Sequence, residues 1–249
     1  MSLVHELEKS GNWLFRRRSW LPATILVPAA VYILFIANRS VIYFNYTWEI
    51  ACILVSVAGE LLRSYTVGYV PRNTLGRNVI EQLADELNTK GIYSVVRHPL
   101  YIGNFLMWLG PVMFLRSVWW VLVFVLAYWL YYERIIFAEE QYLRRKFGET
   151  YDTWAFRVRA VIPSFRRYMK AELPFSLRNV LKREYNSIAN MFIVFALLDL
   201  LRNISVTGRF YLEPMYITLF VAALMPWVLV RLRLLGARAP RRLASEVLE

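Results

Sequence analysis

The chain reads as an all-α, polytopic membrane bundle of about six transmembrane helices with interfacial cytosolic helices, and three observations predict this. Hydrophobic residues make up 58% and aromatics 16% of the 249 residues, with a mean hydropathy of +0.37, a balance foreign to soluble domains. The apolar residues gather into runs long enough to cross a hydrocarbon core, which takes roughly 20 residues of helix. All but four of the 30 Lys and Arg (Arg39, Arg116, Arg202 and Arg209) fall in segments that six spans would place on one side. That asymmetry orients both termini and the two long connecting segments, 62–100 and 133–188, toward the cytosol. The net charge of +12 therefore reports topology and gives no reason to expect a nucleic-acid partner.

The first run, Trp20 to Ala37, follows Arg16-Arg17-Arg18 and carries Pro22 and Pro28 without a small-residue cleavage site, so it is expected to be a retained span. Thr47 to Tyr65 forms the second. Tyr101 to Leu115 is a short third, tightly linked to the fourth, Val118 to Phe137, which is expected to end at the acidic pair Glu139-Glu140. A basic segment follows, then Ile188 to Leu201, a short fifth span, and Tyr216 to Leu232, a sixth interrupted by Pro226. Tyr43, Tyr46, Trp48, Trp119 and Trp120 fall at the outer boundary, and Tyr128, Trp129, Tyr131 and Tyr132 near the inner one, as interfacial belts require.

Two cytosolic stretches carry helical amphipathicity. Val79, Ile80, Leu83, Ala84 and Leu87 share one face opposite Glu81, Gln82, Asp85 and Glu86. Leu143, Phe147, Tyr151, Trp154 and Val158 recur at helical spacing among basic residues, the pattern of a helix lying in the interface. The domain organisation that follows is an N-terminal interfacial segment and first span over 1–46, a membrane core over 47–168 and an extension with two further spans over 169–249.

The polar residues at the mouth of the third span carry the chemistry. Ionisable groups at membrane depth are costly and mark functional sites. Pro99 suits the first turn of a helix, because its missing N–H would be unpaired there anyway, so Arg97 and His98 stand just before a helix N-terminus that favours anions. Tyr101, Gly103 and Asn104 follow on the first turns, Gly103 permitting close backbone approach. Glu139 and Glu140 repel one another at a helix end that also disfavours acids, so a cation must compensate them; Arg144, other arginines of the loop, or a bound cationic ligand could do so. Glu60 and Arg63, three apart, could pair or line the site, with pairing the expectation, and Asp199 is expected to sit at the outer interface. Cys52, the only cysteine, excludes an intramolecular disulfide, and the two histidines, His5 and His98, are too few for a histidine-rich metal site. No metal is expected.

These patches occur in a particular order: Gly91-Ile92-Tyr93, then Arg97-His98-Pro99-Leu100-Tyr101, a hydrophobic hairpin, Glu139-Glu140-Gln141-Tyr142-Leu143, then Phe147-Gly148-Glu149-Thr150-Tyr151 and Val158 to Pro163. In that combination the chain resembles the isoprenylcysteine carboxyl methyltransferase family and, more widely, the phospholipid methyltransferases, over about Val55 to Pro163. The resemblance implies a membrane enzyme that takes S-adenosylmethionine from the cytosol and methylates a polar group of a lipid or prenylated substrate within the membrane. Carried over by position, it nominates Gly91, Tyr93, Arg97, His98, Tyr101, Glu139 and Glu140 for the cofactor, with Arg97 and Glu139 also for catalysis. Relatives often carry an Arg one turn before the Glu pair to steer an anionic acceptor; Ile135 stands there in this chain, so either Arg134 beside it substitutes as a catalytic residue or the acceptor is not a prenylcysteine carboxylate. Two alternatives compete. Sterol-type membrane reductases carry a related Arg-His-Pro-x-Tyr segment and use NADPH, but this chain has the Glu pair and no Gly-x-Gly-x-x-Gly fingerprint. A transporter or structural membrane protein would leave the polar cluster without a purpose. Nothing in the sequence sets an oligomeric state.

Overall fold

The computed structural model describes residues 2–37, 41–70 and 84–236, and within them every regular element is a helix, with one isolated β-bridge between Gly91 and Met169. Helix α1 (Leu3–Arg17) is amphipathic and includes His5. It meets the following Leu21–Ile36 run at 79°, and that run changes winding from a 3₁₀ turn through α2 (Leu26–Val31) to a π turn as prolines 22 and 28 interrupt the ladder. Helix α3 (Tyr46–Gly68) begins at Asn45, whose side-chain oxygen accepts from the Trp48 amide at 3.0 Å. Helix α4 (Pro99–Phe114) starts at the expected proline. Helices α5 (Val118–Phe147), α6 (Glu149–Arg157), α7 (Leu177–Thr207) and α8 (Pro214–Gly236) complete the chain.

Among the described residues, four helices are long and apolar enough to cross a membrane (α3, α5, α7 and α8), five if α1 and its bent continuation count as one span, and α4 is a shorter apolar helix of 16 residues. All six expected runs are thus helical, but several limits move. The fourth run does not stop at the Glu pair: α5 continues to Phe147, so Glu139 and Glu140 sit two turns inside the helix, where compensation must come from side chains. The fifth is not short, because the polar residues before Ile188 extend α7 by three turns from its cap at Ser176. The second amphipathic stretch is two helices. Gly148 adopts φ +53°, a conformation that β-carbons disfavour, and separates α5 from α6. Most of the first amphipathic stretch, 79–83, lies outside the described residues, and Ala84 to Leu87 are not helical.

Close packing of α3 on α4 positions the site. A β-carbon on Gly59 would come within 2.5 Å of the Gly103 carbonyl, and one on Gly103 within 2.9 Å of the Gly59 carbonyl, so the two backbones touch as the Gly103 expectation required. The main core gathers Cys52, Phe114, Leu115, Met191, Phe195, Leu198 and Tyr216 from α3, α4, α7 and α8. A smaller cluster of Phe15, Tyr132 and Ile135 joins α1 to α5, drawing Tyr128 and Tyr131 inward. Those tyrosines are therefore packing groups and not belt residues; Trp129, 53% exposed, keeps the belt position.

At the end of the bundle away from Pro99, Asp199 is buried and not interfacial. Arg202 donates to Glu49 at 2.5 Å and to Asp199, Tyr216 donates to Glu49, and the Glu213 amide donates to Asp199 at 2.8 Å. The Arg202 guanidinium lies 5.0 Å and 5.3 Å from the centroids of Phe44 and Phe114. One polar knot therefore staples α3, α7 and α8 together.

Candidate active site

The segment 91–98 has no regular secondary structure beyond a single 3₁₀ turn, and the returning chain after α6 holds it in place. The Arg97 amide donates to Arg159 O at 2.9 Å, His98 N to Ala160 O at 3.2 Å, Ser164 N to Val95 O at 3.0 Å and Gly91 N to Met169 O at 2.9 Å. Gly91 takes φ +61°, which explains a glycine there. Trp154 Nε1 donates to the Tyr93 carbonyl at 3.1 Å, so α6 clamps the same segment from the other side. The Val158 to Pro163 motif thus supplies backbone carbonyls, at Arg159 and Ala160, to the Arg-His-Pro motif.

The acidic pair on α5 meets this segment directly. His98 Nε2 lies 3.0 Å from Glu140 Oε1, and Arg97 Nη2 lies 2.9 Å from the same oxygen. An ionised carboxylate can only accept, so this contact places the imidazole proton on Nε2. Tyr101 donates its hydroxyl to Glu139 at 2.7 Å, and its ring stacks on the imidazole with centroids 5.5 Å apart. The compensating cation is therefore Arg97, with His98 as a second hydrogen-bond donor; Arg144, one of the expected candidates, pairs with Asp152 at 2.7 Å. His98 is 7% exposed, whereas the Glu139 and Glu140 side chains keep 29% and 23% of their surface, so the acids remain reachable.

These groups open on a cavity of about 710 Å³, within the range of small-molecule sites. Tyr93, Arg97, His98, Tyr101 and Glu139 line it; Glu140 stands behind His98 and Arg97 and fixes both. Gly91 shapes the wall from outside it. Arg134 is not among the lining residues, and its carbonyl faces Gly11 of α1. Ile135, at the position of the missing Arg, is fully buried against Phe15 and Tyr132.

Arg63 lines the cavity where Arg134 does not. It does not pair with Glu60 by a salt bridge: its Nε and Nη2 donate to Glu184 of α7 at 3.0 and 2.7 Å, and its Nη1 donates to Asn104. Asn104 in turn donates to the Tyr132 hydroxyl at 3.2 Å. Arg18, Tyr151 and Trp154 also line the cavity. Sequence spacing left Arg63 between pairing with Glu60 and lining the site because Glu184 is far from it in the chain, and Tyr151 and Trp154 fit an interfacial helix equally well. Burial pushes the Tyr93 phenol well above its ordinary range, with Glu139 adding to the effect and Arg183 opposing it. Burial likewise raises Tyr151, with Glu140 adding and Arg97 opposing. Both phenols therefore stay neutral at ordinary pH. The Nε of Arg97 is buried without a partner, one hydrogen-bond donor left over beside the cavity.

Residues 45–150 match the family model described as phospholipid methyltransferase. Among curated proteins, the chain is 40% identical over 77 residues to a protein-S-isoprenylcysteine O-methyltransferase of Schizosaccharomyces pombe, covering 31% of this chain and 33% of that one. It is 31% identical over 109 residues to protein-S-isoprenylcysteine O-methyltransferase B of Arabidopsis thaliana, covering 43% and 55%. It is also 33% identical over 117 residues to the nickel-cobalt-cadmium resistance protein NccN of Alcaligenes xylosoxydans xylosoxydans, covering 47% and 53%. The chain thus spans between 33% and 55% of the length of these relatives. No solved structure matches it.

Proposed function

We propose that this chain, whose core over residues 45–150 falls in the isoprenylcysteine carboxyl methyltransferase and phospholipid methyltransferase superfamily, is an integral-membrane methyltransferase using S-adenosylmethionine. Its acceptor is a carboxylate, phosphate or amine on an isoprenoid or lipid-like molecule, and its site and termini face the cytosol. The observation that carries this reading is the meeting of two patches forty residues apart, His98 and Arg97 with Glu140, around a cavity that continues into the apolar bundle.

The residues present fit the cofactor. Glu139 offers a reachable carboxylate to an ammonium or ribose hydroxyl, while the unpartnered Arg97 Nε beside the α4 N-terminus offers a donor to a carboxylate. Tyr93 and Trp154 add apolar surface at the same wall. When bound, S-adenosylmethionine would supply an electrophilic sulfonium methyl, open to attack at carbon by an anionic or neutral amine acceptor with S-adenosylhomocysteine leaving as the neutral sulfide, a displacement that needs no strong base. The task left to the protein is alignment and exclusion of water. Glu140 holds His98 and Arg97 in register, Tyr101 orients Glu139, and the neutral phenols of Tyr93 and Tyr151 bring no competing charge. In this arrangement Arg97 and Glu139 touch the reactants, and Arg63, at the cavity wall, stands where an anionic acceptor would need a counter-charge more directly than Arg134 does.

The test is ligand-specific stabilisation of the detergent-purified protein, since a ligand that binds only the folded state raises its melting temperature. S-adenosylhomocysteine should stabilise and NADP should not. The reverse result supports a reductase and removes the methyltransferase reading.

A further inference from the structure

The cavity does not end at the polar cluster. Along α4 its lining runs through Leu100, Asn104, Met107, Trp108 and Pro111, the i, i+4, i+7, i+8, i+11 pattern of one helical stripe. From Leu100 to Pro111 that stripe is about 16 Å long at the rise of an α-helix. Facing it, α7 contributes Ser187, Asn190, Met191 and Val194 with the same periodicity. All of α7 lies beyond the residues that match the family model, 45–150.

We propose that this α7 face is the wall against which the acceptor's prenyl tail lies, and that it sets the tail length the enzyme accepts. The inference rests on the methyltransferase reading and deepens it. Polarity changes along the cavity in the order such a molecule needs. The reachable carboxylate of Glu139 stands at the mouth, the locked Arg63–Glu184–Asn104 group marks the transition, and Met107, Trp108, Met191 and Val194 follow below it. Glu184 fastens α7 to α3 at that transition, so the wall is fixed relative to the polar mouth. Thioether side chains from both helices suit a flexible, branched hydrocarbon chain. The lining ends at Pro111 on α4 and Val194 on α7, and the next residues on both helices, Phe114, Leu115, Phe195 and Leu198, are buried in the main core. A tail longer than the stripe therefore meets a floor near Val194.

The test uses the full chain in lipid nanodiscs with N-acetylcysteine carrying S-geranyl, S-farnesyl or S-geranylgeranyl groups. Val194→Trp raises the floor and should lower the ratio of kcat/KM for the farnesyl over the geranyl probe about tenfold or more. Met191→Ala deepens the groove and should shift preference toward the geranylgeranyl probe. Stabilisation by S-adenosylhomocysteine serves as the fold control in each variant. Preserved stabilisation with an unchanged chain-length profile in both variants overturns the proposal. A photoreactive farnesyl probe gives a readout independent of turnover: cross-links within residues 187–194 are expected, and cross-links confined to other helices overturn it. If S-adenosylhomocysteine fails to stabilise even the parent protein, the underlying methyltransferase reading fails instead, and the tail assignment falls with it.

Discussion

The two ends of the bundle use nearly the same chemical parts to opposite effect. Near the start of α4, two carboxylates meet an arginine, a histidine and a tyrosine: Glu139, Glu140, Arg97, His98 and Tyr101. At the far end, two carboxylates meet an arginine and a tyrosine: Glu49, Asp199, Arg202 and Tyr216. The far knot is sealed, with side chains 0–2% exposed, while the near cluster keeps 15–29% of Arg97 and its acids accessible and opens on about 710 Å³ of space. Charges buried at such depth are costly in either place, so composition alone does not separate a staple from a site. Access does.

Breaking the sealed knot should have the largest effect. Arg202→Met leaves Glu49 and Asp199 buried beside one another without their cation, and unfolding measured in detergent should show a loss of about 3–5 kcal/mol. Replacing all three together, Arg202→Met with Glu49→Leu and Asp199→Leu, should recover most of that loss, because an apolar set of similar volume carries no desolvation penalty. A triple variant as unstable as the single one would mean that the knot does more than join α3, α7 and α8.

The open cluster should respond the other way. Glu140→Ala or His98→Ala should weaken S-adenosylhomocysteine binding about tenfold or more, roughly 1.4 kcal/mol, by isothermal titration, while shifting stability far less than Arg202→Met does. Unchanged affinity in both would make this end a second staple and erase the contrast. Arg134→Ala should leave that affinity within about twofold, a change of under roughly 0.5 kcal/mol, since Arg134 does not line the cavity. The smallest effect concerns pH. Tyr151 is 1% exposed and its phenol is raised, so its contribution to stability is complete below about pH 10, where an unfolded tyrosine ionises, and is lost as the pH rises through the folded value. Tyr151→Phe should flatten the alkaline limb of a stability–pH curve; an unaltered limb would show that the phenol is not held neutral by burial.

The contrast also explains what could be read from the chain before folding. Helical runs, Pro99 at a helix start and the close approach at Gly103 are local properties, encoded within a few residues, and all three hold. The partnership of His98 with Glu140 was legible only as an ordered set of motifs, because nothing in their spacing says that a hydrophobic hairpin folds one onto the other. Long-range charge pairs were misread where a near neighbour was available. Arg63 passes over Glu60 three residues away and takes Glu184 from α7, and Asp199 is buried where its position near a span end indicated the interface. Helix limits failed for a related reason: charged residues can continue a helix past the hydrocarbon edge, as they do in α5 and α7.

The continuation of α5 past the Glu pair also sets where the protein tolerates attachment. Gly11 of α1 rests on the Arg134 carbonyl, an added β-carbon would come within 2.7 Å of Ala138, and Arg145 reaches Glu8 at 2.5 Å. The leading helix is thus pressed along the rod that bears Glu139 and Glu140, separated from them by little more than Ala138. Tags, reporters or immobilising linkers spliced into that first helix would lever the acids out of register. The same additions between Arg209 and exposed Phe210, before the Tyr211 carbonyl and Glu213 amide that tie the turn to Asn203 and Asp199, would sit at the opposite extremity and leave the pocket undisturbed.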